Sequence, residues 1–127
     1  MKPAFILASA LSLAACATIP DQPPPIRSDG VAALGQPTRV GALLVSPEAV
    51  IEDSRCPIDV RCIWAGRLVI SAVVKYSGGS EEFRGRLTLG EPLVLGRERV
   101  TLVSAEPRKA DRASPPLPAM LFGFEAR

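Results

Sequence analysis

Short runs in which apolar and polar residues alternate recur from residue 31 to the C-terminus, and glycine or proline separates them. Alternation places every second side chain on one face of an extended chain, which is typical of a β-strand with one buried face. No convincing helix of ten or more residues follows the N-terminal segment. The sequence therefore predicts an all-β domain, a small antiparallel sandwich or barrel of six to eight short strands.

The clearest pair of strands is a hairpin. Residues 67–76 ("RLVISAVVKY") and 81–89 ("EEFRGRLTL") alternate strictly, and "SGGS" between them supplies the glycine that tight turns need. Further strands are expected in 38–46, 91–96, 97–106 and 119–126, with another short one in 49–53. Residues 108–118 are polar and rich in proline, which indicates a surface loop.

The N-terminus has the pattern of an export signal. Met1 and Lys2 precede the apolar run "PAFILASALSLAA", which ends at Cys16. A positive start, a short apolar stretch and small residues before a cleavage point are typical of a secretory signal peptide. The run is also shorter than the roughly 20 apolar residues that span a bilayer.

The end of this signal, Leu13-Ala14-Ala15-Cys16, resembles the lipobox of bacterial lipoproteins. That resemblance implies a signal peptide at 1–15, a lipidated Cys16 as the mature N-terminus and a membrane as partner. The alternative is an ordinary signal peptide cut near Ala15 or Ala17. Because Ala17 is not an aspartate, the resemblance further implies the outer membrane in a host with two membranes.

Residues 16–30 then form the lipidated end and a proline-rich tether, and residues 31–127 form a single domain. Three consecutive prolines favour an extended polyproline II segment. Removal of Lys2 with the signal lowers the formal net charge from +2 to +1. A nearly neutral domain gives no reason to expect nucleic acid as a partner.

The three cysteines support export. With Cys16 assigned to lipid, Cys56 and Cys62 remain as an even pair in an oxidising compartment, and we expect a disulfide between them. The bond would close a ring of about seven residues, and chain entropy would then contribute roughly 2.4 kcal/mol to stability.

Two other chemistries are open to this pair. Cys56, Cys62, Asp53 and Asp59 can be drawn as four zinc ligands, although the chain has no histidine and the Cys-x5-Cys spacing is not usual for zinc. Redox catalysis is the other, although exchange enzymes place their thiols as Cys-x-x-Cys at a helix start. We predict neither a metal nor a cofactor.

Recognition is a further interpretation of the cysteine segment, residues 52–66 ("EDSRCPIDVRCIWAG"). A fixed loop that displays Arg55, Asp59, Arg61 and Trp64 would suit a binding surface, since arginine and tryptophan are enriched at interface hot spots. A protease inhibitor is one form of this hypothesis. In the simpler interpretation, which we favour, Trp64 packs on the disulfide, Asp53 and Ser54 cap a turn, and the arginines are solvated.

The segment also resembles a motif of small exported or lipid-anchored bacterial proteins of unknown function. The motif reads Asp-Ser-Arg-Cys-Pro and then Cys-x-Trp-x-Gly, and it matches residues 53–57, Cys62, Trp64 and Gly66. About a ninth of the chain is covered, and sequence rich in β-strands follows, as in those proteins. The resemblance implies the disulfide but no particular chemistry.

Catalysis is not expected. The usual general base near neutral pH is missing because the chain has no histidine. Lys75 and Lys109 do not lie in a serine–lysine motif, and Glu81 and Glu82 would point to opposite faces of a strand. The sequence thus predicts a non-catalytic, lipid-anchored envelope protein that binds an envelope protein or polymer or has a structural role. A secreted-enzyme inhibitor and a metal- or redox-active protein are the alternatives.

Overall fold

A computed structural model of the protein describes residues 22–109 and 119–127, and these residues form eight β-strands. The strands are β1 (Val31–Ala32), β2 (Thr38–Val40), β3 (Leu43–Asp53), β4 (Leu68–Tyr76), β5 (Glu82–Thr88), β6 (Pro92–Leu95), β7 (Glu98–Glu106) and β8 (Leu121–Ala126). Within these ranges no helix has the length and apolar character needed to cross a membrane. The signal peptide, Cys16 and most of the expected loop at 108–118 lie outside the described residues.

The strands form two antiparallel sheets of four, in the orders β2-β3-β4-β5 and β1-β8-β7-β6. The prediction of an all-β sandwich-like fold is therefore confirmed, at the upper end of the expected number of strands. The predicted hairpin is β4–β5, in which Val74 pairs with Phe83 and Ile70 with Leu87. Its turn contains Gly78 at a φ of 83°, a conformation that glycine adopts without steric cost.

The boundaries of the first long strand differ from the prediction. A turn at Gly41 separates β2 from β3, and β3 then continues without a break from Leu43 to Asp53. Pro47 lies within this strand, and the register against β4 shifts after it and again after Val50. Proline is tolerated in a strand at such a bulge, because the missing N–H falls where regular pairing is interrupted.

The core lies between the inner faces of the two sheets. The predicted inner face of β4 is confirmed, since Leu68, Ile70, Ala72 and Val74 are buried together. Val69 and Val73 on the other face are buried as well, so burial in β4 does not alternate. The opposite sheet contributes the buried side chains of Ala32, Val100, Leu102, Ala105, Phe122 and Phe124. Burial of these side chains is the main favourable term in folding a domain of this size.

Contacts with the sandwich begin before the first strand. Arg27 forms an isolated parallel bridge with Thr38, in which the Arg27 N–H donates to the Pro37 carbonyl (3.0 Å) and the Arg39 N–H donates to the Arg27 carbonyl (2.8 Å). Residues 22–26 have no regular structure and are exposed. The chain is thus attached to the edge of β2 from Arg27 onward, before the expected start of the domain at residue 31.

Candidate functional site: the disulfide-closed loop between β3 and β4

The cysteine segment forms most of the β3–β4 loop, residues 54–67, at one end of the sandwich. The pairing of the two strands continues into the base of this loop. The Ser54 N–H donates to the Arg67 carbonyl (2.9 Å), and the Cys56 N–H donates to the Ala65 carbonyl (3.3 Å). The Ser54 hydroxyl oxygen also accepts a hydrogen bond from the Arg67 N–H (3.0 Å). The base of the loop is therefore an extension of the sheet.

Cys56 and Cys62 are joined in a disulfide, as the sequence predicted. Their Cα atoms are 5.8 Å apart, a usual separation for this bond. The bond closes the tip of the loop, in which the Val60 N–H donates to the Pro57 carbonyl (3.3 Å) and forms a turn. Both sulfur atoms are thereby occupied with each other and hold the tip in one arrangement.

Arg55 does not lie where the sequence analysis placed it. It was expected on the displayed surface or in solvent, but its side chain is only 8% exposed, so both expectations were wrong. Arg55 Nε and one terminal nitrogen donate to the two carboxylate oxygens of Asp53, at 2.9 and 3.0 Å. The other terminal nitrogen donates to the carbonyl of Ala105 (2.9 Å), on β7 of the opposite sheet. A charged side chain can be buried here because each nitrogen has a partner.

The ion pair shifts the acidity of Asp53. Hydrogen bonds from the Arg55 side chain are the main cause and lower the pKa of this carboxyl, while partial burial opposes the shift. Attraction to the Arg55 charge lowers the pKa further, and Lys109 adds a smaller effect in the same direction. Asp53 therefore holds Arg55 in place instead of capping a turn alone, although its carboxylate also accepts from the Arg55 backbone N–H (3.3 Å).

Residues that follow β7 support the other side of the loop. Arg108 donates a side-chain hydrogen bond to the Cys56 carbonyl (2.6 Å), and Lys109 Nζ donates to the Asp53 carbonyl (2.9 Å). The Ile58 N–H donates to the Lys109 carbonyl (3.2 Å). The loop is thus hydrogen-bonded to the start of the segment that was expected to be a separate surface loop.

Gly66 is required where the loop returns to β4. Its φ is 67°, and a Cβ built on it would lie 1.8 Å from the Ser54 carbonyl oxygen. No side chain fits at that distance, because the clash is with backbone and not with a movable side chain. Asp53, Arg55, Cys56, Cys62 and Gly66, five residues of the motif, thus build the support of the loop.

The tip of the loop exposes apolar side chains. Ile63 is 93% exposed and Trp64 is 66% exposed, and Ile58 and Val60 are exposed as well. Trp64 was expected to pack on the disulfide, but most of its surface faces solvent. Arg61 and Asp59 are also exposed, in agreement with the prediction that the loop displays them, and Asp59 has an interaction partner. The displayed surface is therefore mainly apolar, with Arg61 as its cation.

No group of three or more histidine, cysteine, aspartate or glutamate side chains is arranged to hold an ion in residues 22–109 and 119–127. At the opposite end of the sandwich, a cleft of about 310 Å³ is lined by Lys75, Tyr76 and Phe83, among others. Glu81 and Glu82 both line this cleft, although they were expected to diverge.

A substitution at Gly66 tests the support of the loop. Gly66→Ala is expected to lower the free energy of unfolding by about 1–2 kcal/mol for the positive φ and by about 1–3 kcal/mol more for the clash with Ser54. Gly78→Ala is the matched control, because Gly78 has a φ of 83° and no atom near its built Cβ. Equal losses of stability in the two variants, measured by denaturant unfolding, would contradict the close approach at Gly66.

Removal of the Asp53 charge tests the buried ion pair. Asp53→Asn is expected to lower the free energy of unfolding at pH 7 by about 3 kcal/mol, because Arg55 is left buried without its counter-charge. The pKa of Asp53 is lowered on folding, so its contribution is complete above the ordinary value near 3.8 and disappears as the pH falls through the lowered pKa. Between pH 5 and pH 2, the free energy of unfolding, measured with denaturant, should therefore fall less in Asp53→Asn than in the parent protein.

The control for this experiment is Asp29→Asn. Asp29 is paired with Arg27 in the same two-residue spacing, but both side chains are well exposed. Little change in stability at pH 7 is expected for it, because water screens exposed pairs. Similar losses of unfolding free energy in Asp29→Asn and Asp53→Asn would show that burial does not determine how much the Asp53–Arg55 pair contributes to stability.

The comparisons with known proteins add no family to this description. The chain matches no protein-family model, no curated protein and no solved structure. The function therefore has to be inferred from the loop, its supporting contacts and the N-terminal sequence.

Proposed function

We propose that this chain is a lipid-anchored protein of the bacterial cell envelope that binds through the β3–β4 loop and has no catalytic role. The observation that carries the proposal is the construction of that loop. A buried arginine and a glycine with no room for a side chain hold its base, and a disulfide closes its tip. The loop exposes Ile58, Val60, Ile63 and Trp64. Exposed apolar side chains gathered on one rigid element are typical of a contact surface.

The cysteines and the lipobox support the lipid anchor. Cys56 and Cys62 are bonded to each other, so Cys16 is left as the odd cysteine of three. A disulfide is favoured in an oxidising compartment, which supports export. Lipidation of Cys16, with outer-membrane attachment in a host with two membranes, accounts for the odd thiol and for its place at the end of a signal sequence.

A non-catalytic role is supported by the placement of the candidate groups. Lys109 is engaged with a backbone carbonyl beside the loop, whereas Lys75 lies at the cleft at the other end of the sandwich. The loop brings together apolar side chains and the exposed Arg61, which suit binding and not proton transfer. An apolar surface of this kind fits a protein or lipid partner better than a polar polymer, because its gain comes from the removal of apolar area from water.

Membrane fractionation tests the anchor. Cys16→Ser is expected to move the protein from the membrane fraction to the soluble fraction, because the residue that accepts lipid is lost. The control is the double variant Cys56→Ser and Cys62→Ser, which keeps the lipobox and should stay with the membrane. Continued membrane association of Cys16→Ser would contradict the anchor.

In-cell crosslinking identifies the binding partner. A photoreactive residue at position 63, on the loop, should form a crosslink to the partner, and one at position 94, on β6, is the control that should not.

Inhibition of a secreted protease is the second candidate function. It is favoured by one observation, the exposure of Arg61 on the loop that the disulfide closes. A fixed loop loses little conformational freedom on binding, which favours affinity. The metal-binding alternative is less supported, because sulfur atoms joined in a disulfide are not thiolate ligands. The redox alternative is less supported because the pair lies in a loop between two strands and not at a helix N-terminus.

A panel of trypsin-like proteases tests the inhibitor. If the protein inhibits any of them, Arg61→Ala is expected to weaken inhibition by at least about 30-fold, the lower bound for a hot-spot residue. Arg86→Ala, an exposed arginine on β5, should leave inhibition unchanged. Inhibition of none of the proteases at micromolar concentration would remove this candidate.

A further inference from the structure

Exposed apolar side chains are concentrated at the end of the sandwich that carries the β3–β4 loop. Besides Ile58, Val60, Ile63 and Trp64 on the loop, Ile51 near the end of β3 and Leu121 at the start of β8 are exposed there. The β3–β4 pairing and the disulfide hold the loop at this end of the sandwich. The clefts found among the described residues lie elsewhere, at the opposite end of the sandwich and on the face formed by β6, β7 and β8.

The direction of the strands shows from which end the N-terminal segment reaches the domain. Residues around Arg27 run parallel to β2, and β2 runs antiparallel to β3. Because β3 runs toward the loop, β2 and the chain at Arg27 run away from it. At Arg27 the chain therefore enters from the end of the sandwich where the loop lies.

The chain between the anchor and Arg27 is long enough to reach that end. Thr38, the partner of Arg27, pairs with Val45, and eight residues of β3 separate Val45 from Asp53, a distance of about 25 Å. Cys16 lies eleven residues before Arg27, and eleven residues span at most about 36–40 Å. Cys16 can therefore extend past the end of β3 on the side of the loop.

From these observations, and resting on the proposed lipid anchor, we propose that the β3–β4 loop is a second membrane contact. Ile58, Val60, Ile63 and Trp64 enter the interfacial region of the bilayer that holds Cys16. Tryptophan favours this region because its ring is apolar and its N–H can reach water or a headgroup. The lipid retains the protein at the membrane, and the loop sets the orientation of the sandwich on it.

The charges at this end of the sandwich are compatible with a lipid surface. The carboxylates of Glu52 and Asp53 are paired with Arg67 and Arg55, and Asp59 on the loop has a partner too. Arg61 is exposed beside the apolar side chains, where a long side chain can place its charge at the level of the headgroups. Arg108 and Lys109, which donate to carbonyls of the loop, lie at the same end together with Glu106. Charges of both signs are therefore present, and the contact should form on zwitterionic as well as anionic lipid.

The fluorescence of Trp64 tests this proposal directly, because Trp64 is the only tryptophan in the chain. The mature lipidated protein is reconstituted into vesicles of phosphatidylcholine, alone or with phosphatidylglycerol, that contain lipids brominated in their acyl chains. Trp64 emission is expected to shift to shorter wavelength, to be quenched by bromine and to be protected from acrylamide, in both vesicle types. Quenching in anionic vesicles alone would indicate electrostatic adsorption and overturn the proposal.

Two variants at exposed apolar positions separate the loop from the rest of the surface. Ile63→Ser is expected to weaken insertion of the loop roughly tenfold, since it removes the contact of one large apolar side chain. Val94→Ser removes an exposed apolar side chain (59%) from β6, away from the loop, and should not change the quenching of Trp64. Equal effects of the two variants would overturn the proposal.

Failure of the loop contact and failure of the anchor give different results. If the lipidated protein floats with the vesicles while Trp64 stays unquenched and accessible to acrylamide, the loop proposal is overturned and the anchor stands. If the chain proves not to be lipidated in cells, the Cys16→Ser protein at high vesicle concentration still tests the loop, and bromine quenching there would support it. Protection of Trp64 only after addition of envelope proteins would identify a protein partner and overturn the lipid contact.

Discussion

Arg55 joins the carboxylate of Asp53 at the end of β3 to the carbonyl of Ala105 on β7, and this buried interaction supports the rest of the loop. The guanidinium connects the two sheets at the end where the β3–β4 loop leaves them. The cost of removing the guanidinium from water is offset only because each of its nitrogens donates a hydrogen bond. Since the acceptors lie on both sheets, the loop takes up this position only when both sheets are assembled. The disulfide lies within the loop, beyond the buried Arg55, and fixes the tip.

This division between base and tip explains how apolar side chains can remain exposed. Ile63 and Trp64 would gain free energy by burial, so a flexible loop would tend to fold them back onto the sandwich. The continued strand pairing, the short ring between Cys56 and Cys62 and the close packing at Gly66 oppose such a rearrangement. The exposed apolar side chains of this loop, together with a chain that enters at Arg27 from the same end, are the basis for the proposed membrane contact.

Much of the fold was predictable because strand alternation is a local signal. The β4–β5 hairpin and the strand that contains Phe122 and Phe124 followed from the two-residue period, and the cysteine count led to the disulfide. The extent of β3 was harder to predict, because Pro47 suggests an end to the strand. A bulge accommodates this proline, and the strand continues. Asp53 and Arg55 are two residues apart, the spacing that places opposite charges on one face of an extended chain, and this signal could have revealed their pairing.

The sequence by itself determined the all-β class, the hairpin and the cysteine pairing, because each depends on residues that are close together along the chain. It also carries the whole basis for the proposed anchor at Cys16. Only the tertiary structure decided that Arg55 is buried while Trp64 is exposed, since burial depends on Ala105, fifty residues away, and on the opposing sheet. The direction in which the chain enters at Arg27 was likewise settled by its parallel pairing with Thr38, a contact between separate segments that no local pattern encodes.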